Sequence, residues 1–71
     1  MTKMRLERIK RGMSQTDLFL KTGIPQWRVS LIERGIPPKI EEAKKIAEVF
    51  RVNPADFFPA FQNGNEVGVV G

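Results

Sequence analysis

The chain carries many side chains that can bind and almost none that can react. Its 71 residues include neither Cys nor His, which removes disulfides, thiolate zinc sites, thiol nucleophiles and the commonest metal ligand and general base together. No cofactor loop is present, and Glu41 and Glu42 stand where a helix N-terminus favours carboxylates. No catalytic residue, cofactor or metal is therefore expected, and the chain does not read as an enzyme. What remains is charge. The formal net charge is +4, but it is unevenly distributed: Met1 to Lys39 holds 9 bases and 3 acids, a net +6, whereas Ile40 to Gly71 holds 3 bases and 5 acids, a net −2. Positive potential at one end of a small globule suits a polyanionic partner.

The elements that must position those cations are short helices. Met4, Leu6 and Ile9 give helical spacing from Lys3 to Arg11, and Gly12 follows the basic pair Lys10-Arg11, as at a helix C-terminus. Ser14 is an N-cap with Asp17 three residues on, so a second helix runs from Gln15 to about Thr22 with Leu18 inward; Gly23 ends it. Pro25 then opens a third helix at Gln26. With Gln26 at 0° and about 100° per residue, Val29, Ile32 and Glu33 fall at about 300°, 240° and 340°. Trp27, Leu31 and Arg34 fall opposite, at about 100°, 140° and 80°. Both faces thus carry large apolar residues, although a surface helix needs only one to be buried.

Gly35-Ile36-Pro37-Pro38 is a loop no helix can cross. Ile40, Ala43, Ile46, Ala47 and Phe50 repeat at amphipathic spacing and define a fourth helix. Asn53 caps a fifth that holds Pro54 and Asp56 and ends at Phe58, before Pro59. The fold class is therefore all-α: one domain over 1–59, a bundle of five short helices, followed by a flexible tail over 60–71 rich in Gly and Asn. Charges every two or three positions at the start leave no apolar run for a signal peptide or membrane span, so a cytoplasmic protein is expected.

Helices two and three, joined at Gly23, form a helix-turn-helix. The chain resembles the lambda-repressor-like, or Xre/Cro-type, helix-turn-helix family through M-S-Q-T-D-L at Met13 to Leu18, T-G-I-P-Q at Thr22 to Gln26, V-S-L-I-E-R-G at Val29 to Gly35 and N-P-A-D-F-F at Asn53 to Phe58. The resemblance implies a sequence-specific DNA-binding regulator, repressor-like, whose partner is a double-stranded operator and which acts as a homodimer. In that family the third helix enters the major groove. The matching base-reading positions are Gln26, Trp27, Arg28 and Leu31, nearly the outward face of the helical wheel. Gln pairs with adenine, Arg with guanine or a phosphate, and Trp or Leu packs on a thymine methyl. Gln15, Arg11, Arg34 and Lys39 match phosphate-contacting positions, Gln15 also bracing the first residue of the reading helix. Arg8 and Glu33 match a partly buried structural ion pair, and helix five, with Phe58 and Phe61, matches a region of self-association.

Three positions depart from the family pattern. Phe19 stands where helix two usually has a small residue, so it must point away or widen the packing. Trp27 replaces a polar residue, and Lys39 replaces a Ser or Thr cap on helix four. Exposed apolar side chains favour an alternative on the same fold, a protein-protein interaction module of antitoxin or adaptor type.

Overall fold

The computed structural model describes residues 1–61, and the last part of the expected tail, 62–71, lies outside the described residues. Most of its helices begin where a side chain can satisfy an orphan amide. In α1 (Lys3–Lys10) the Thr2 hydroxyl accepts from the Arg5 amide at 3.3 Å. At α2 (Gln15–Thr22) Ser14 and Asp17 complete the reciprocal box, with bonds of 3.0 and 2.8 Å. Helix α3 (Gln26–Glu33) follows Pro25 with no side-chain cap. In α4 (Ile40–Phe50) the Lys39 ammonium has no acceptor to offer, but the Glu42 carboxylate takes the Lys39 amide at 2.8 Å. That half-box makes the helix start better satisfied than the sequence suggests. Asp56 does the same for Asn53 at 3.1 Å before α5 (Pro54–Phe57). No strand occurs among the described residues.

Packing follows the apolar seams. Helix α2 lies against both α3 and α4, and α4 against α5. Met4, Leu18, Ile24, Val29, Ile32, Ile46, Phe50 and Phe57 form one buried cluster. Phe50 and Phe57 meet edge to face with ring centroids 5.1 Å apart, the preferred arrangement for aromatic pairs. Phe58 and Phe61 extend that ladder outward and are half-buried.

The turn between α2 and α3 is closed from inside. Gly23 has φ of 79°, the left-handed conformation that favours glycine, and its amide donates to the Phe19 carbonyl at 2.7 Å. Thr22, itself buried, donates to the Leu18 carbonyl at 2.6 Å and accepts the Ile24 amide at 3.1 Å. Ile24 then plugs into the core. The angle between the two helices is thereby set by buried groups.

Three details differ from the sequence reading, and one alternative it left open, at Phe19, is decided. Leu6 and Ile9 are about half exposed, and the inward face of α1 is Met4 and Arg8, four residues apart; a charged residue holds a core position because its charge is neutralised there. Ile40 is also half exposed, being the first residue of its helix, before the seam reaches the core. Phe19 points away, at 42% exposed, so α2 keeps its packing. Finally, α5 stops at Phe57, and Pro59–Phe61 forms a 3-10 turn past the expected end of the helical region.

Candidate nucleic-acid interface

Val29, Ile32 and Glu33 fix one face of α3 in the core, and the opposite face is left to solvent. Trp27 is 67% exposed and Gln26 beside it is also exposed; Leu31, one turn further on, is half-buried. A Trp this exposed, on a helix whose other face is fully packed, forgoes a large burial gain. Gln26 is held only at the long limit of hydrogen bonding. Its Nε2 donates to Gln15 Oε1 at 3.5 Å, and its Oε1 accepts from the Thr16 hydroxyl at 3.4 Å. Gln15 therefore braces the first residue of α3, and the bonds are weak enough to exchange for a base edge.

Arg28 sits differently. Its Nε and Nη2 fork onto Glu42 of α4 at 2.9 to 3.2 Å, and Nη2 also donates to the Pro37 carbonyl at 3.3 Å. The Arg28 guanidinium, followed by the Lys39 amide, holds the Glu42 carboxyl below the usual range, and Glu42 in turn raises Arg28. Pro25, Trp27, Arg28, Lys39 and Glu42 line one open recess, which places exposed Lys39 next to α3. Of the four expected readers, Gln26 and Trp27 lie together and exposed, and Arg28 is tied to the next helix.

The second cluster is built on Glu33. Arg8 donates to both of its oxygens, Nη2 to Oε1 at 3.0 Å and Nε to Oε2, while Arg8 Nη1 donates to the Met13 carbonyl at 2.7 Å. Gln15 Nε2 adds a bond to Glu33 at 3.1 Å. The Glu33 side chain is 2% exposed, so the expected ion pair between α1 and α3 is present and well buried. Gln15 thus links Glu33 to Gln26, coupling scaffold to the outward face. Arg5, Arg8, Gln15, Ser30, Glu33 and Arg34 line a polar cavity of about 210 Å³. Since Arg8 is matched by Glu33, the cations of Arg5 and Arg34 leave this cavity net positive. Arg34 bonds the Ser30 hydroxyl at 3.3 Å. Sequence reasoning missed Arg5 and Ser30; they lie three residues before Arg8 and Glu33 respectively, the helical spacing that could have found them.

Arg11, matched to a phosphate contact, is placed elsewhere. Its Nη1 donates to the Phe50 carbonyl at 3.1 Å and its guanidinium lies 4.9 Å from the Phe50 ring centroid. That is the C-terminal end of α4, whereas Lys39 stands at its start, about 15 Å away along an 11-residue helix. Among the described residues no group of three or more acidic, Cys or His side chains is arranged to hold a metal, and no helix is long and apolar enough to cross a membrane.

A buried scaffold face, a rigid glycine turn and an exposed polar and aromatic face on the second helix define a helix-turn-helix. A family model described as Helix-turn-helix matches residues 4–57, and the chain belongs to that family, the Xre or lambda-repressor-like helix-turn-helix proteins. It is a family of DNA-binding regulators, not typically enzymes. Neither a curated protein nor a solved structure matches the chain.

Proposed function

We propose that the protein is a sequence-specific, repressor-like transcriptional regulator that lays α3 in the major groove of an operator and works in the cytoplasm. The observation that carries this is the division of α3: one face is sealed in the core, and the other presents loosely bonded Gln26 beside exposed Trp27. Gln26 pairs with adenine and Trp27 packs on a thymine methyl or sugar, with Leu31 behind them. Lys39 on one side, and Arg34 with Arg5 on the other, neutralise phosphates, Gln15 hydrogen-bonds to one, and together they set register without reading sequence. A homodimer on a two-fold-symmetric site completes the reading, with half-sites about one helical turn apart. Self-association is assigned to the end of α5, where Phe58 and Phe61 line an apolar groove of about 190 Å³ with Ile36 and Pro38. The same groove and exposed Trp27 favour the second reading, a protein-interaction module on this fold.

Selection of bound sites from a random duplex pool tests the proposal. A recovered palindrome supports it, and replacing Gln26 by Ala should relax one position by about 1 to 3 kcal/mol while leaving the fold intact. Binding to random duplex must weaken steeply with salt, since several neutralised phosphates release counterions. A flat salt response would exclude the phosphate contacts and leave the interaction module.

A further inference from the structure

Gln26 and Arg28 are two residues apart on α3, yet the fold treats them oppositely. Gln26 is held by bonds of 3.4 and 3.5 Å, whereas Arg28 is gripped by three charge-assisted bonds to Glu42 and one to the Pro37 carbonyl. The Arg28 and Glu42 side chains are only 18% and 17% exposed. Glu42 occupies the Nε and Nη2 edge of the guanidinium, and the Pro37 carbonyl takes Nη2 as well, so no free pair of nitrogens is left for a guanine edge or a phosphate. These bonds take Nε and Nη2, so to present two prongs to a guanine Arg28 would have to give up Glu42 or the Pro37 carbonyl. Giving up Glu42 would also leave a bare carboxylate beside Lys39, on the surface proposed to approach a polyanion.

We propose that Glu42 is a specificity-determining residue: it holds Arg28 off the bases and so leaves sequence reading to Gln26 and Trp27. The inference rests on the DNA-binding reading above. Arg28 is then a strut between α3, the loop at Pro37 and the start of α4, and its charge serves to cancel Glu42 as that loop meets phosphate. The Lys39 amide on Glu42 Oε1 at 2.8 Å ties the loop to the same carboxylate.

The test uses the full chain with Glu42→Gln, Arg28→Ala and the double variant. Each is checked for fold by circular dichroism, then assayed by site selection and by duplex titration over a range of salt. Gln at this position keeps an acceptor for the Lys39 amide, so α4 retains its start. Arg28→Ala should weaken binding equally at every site and leave base preference unchanged; Arg28→Lys, which keeps the charge but not the fork, should also leave the preference unchanged and stands in if the Ala variant does not fold. Glu42→Gln should release Arg28. The released side chain should give either a new guanine preference of about tenfold or a salt slope steeper by about 0.9, and the double variant should lose that gain. Loss of preference at one base position in Arg28→Ala would overturn the proposal, as would Glu42→Gln and the double variant behaving alike. If the unaltered chain shows no salt-dependent binding to duplex DNA, the DNA reading itself fails and this inference falls with it.

Discussion

Replacing Arg8 by Met should be among the most damaging single changes in the molecule. Arg8 is 9% exposed and Glu33 5%, and the carboxylate accepts from both Nε and Nη2 of the guanidinium. Met reproduces the aliphatic stem but leaves Glu33 buried with only the Gln15 amide at 3.1 Å. An uncompensated buried charge of this kind costs about 3 to 5 kcal/mol. A chain of 71 residues has about 4 to 11 kcal/mol of stability in total, so the variant should lose about a quarter of it or more. Glu33→Leu should cost a similar amount, because it strands the guanidinium. The double variant, which removes both charges, should lie within about 1 to 2 kcal/mol of the parent and above either single variant, since an apolar pair can replace a buried ion pair. Urea unfolding followed by far-UV circular dichroism measures all four corners of the cycle. Trp27 fluorescence would be a poor probe of unfolding, because that residue is already two-thirds exposed in the native state. Single losses under about 1 kcal/mol, or a double variant equal to the sum of its singles, would refute the claim that a coupled buried pair ties α1 to α3.

Other outcomes follow from the same geometry. Gly23→Ala introduces a Cβ that meets nothing within 4 Å, so only backbone strain operates; a left-handed cost of about 1 to 2 kcal/mol, partly offset by reduced unfolded-chain entropy, should lower the melting temperature by about 4 to 8 °C. Phe50→Ala should cost about 3 to 5 kcal/mol, and Phe19→Ala, at a 42% exposed position, well under half of that; comparable losses would contradict the packing of α2. Bonds from Ser14 lower the Asp17 carboxyl, and Arg28 lowers Glu42. Both groups therefore contribute stability that is present above their unfolded values and is lost as pH falls below 4.5 for Glu42 and 3.8 for Asp17, through the depressed folded values. Asp17→Asn with Glu42→Gln should flatten that acid limb in urea titrations. Trp27 emission should change when operator-containing duplex is added, and an unresponsive signal would move the interface off α3.

Much of this was legible in the chain because it depends on neighbours close in sequence. The Ser14 and Asp17 box, the Gly23 turn and the boundaries of α2 are settled within four residues, where capping and φ preferences act. The helical wheel of α3 also divided correctly, since Val29, Ile32 and Glu33 share a face by spacing alone. Apolar spacing misled in α1. It pointed to Leu6 and Ile9, but the face that turns inward is chosen by what lies across from it, and Glu33 lies across from Arg8, 25 positions away. Nothing within α1 itself announces that partner. The resemblance to the family did, by matching both residues of the pair at once.

The candidate interface divides in the same way. Residue types and periodicity alone established a basic N-terminal half, a short helix with a packed face and an outward face of Trp27, Leu31 and Arg34, and the lack of Cys and His. Only the tertiary structure decided which of the polar side chains near that face are free. Gln26 rests on long bonds to α2, Arg28 is bound to Glu42 of α4, and Arg11 is drawn to the carboxyl end of α4, about 15 Å from Lys39. A long cationic side chain goes to the nearest carboxylate or exposed carbonyl that the packing brings within reach, and that proximity is set by how the helices cross. Local sequence carries the propensity of each helix; the competition among partners for each guanidinium exists only once the helices are assembled.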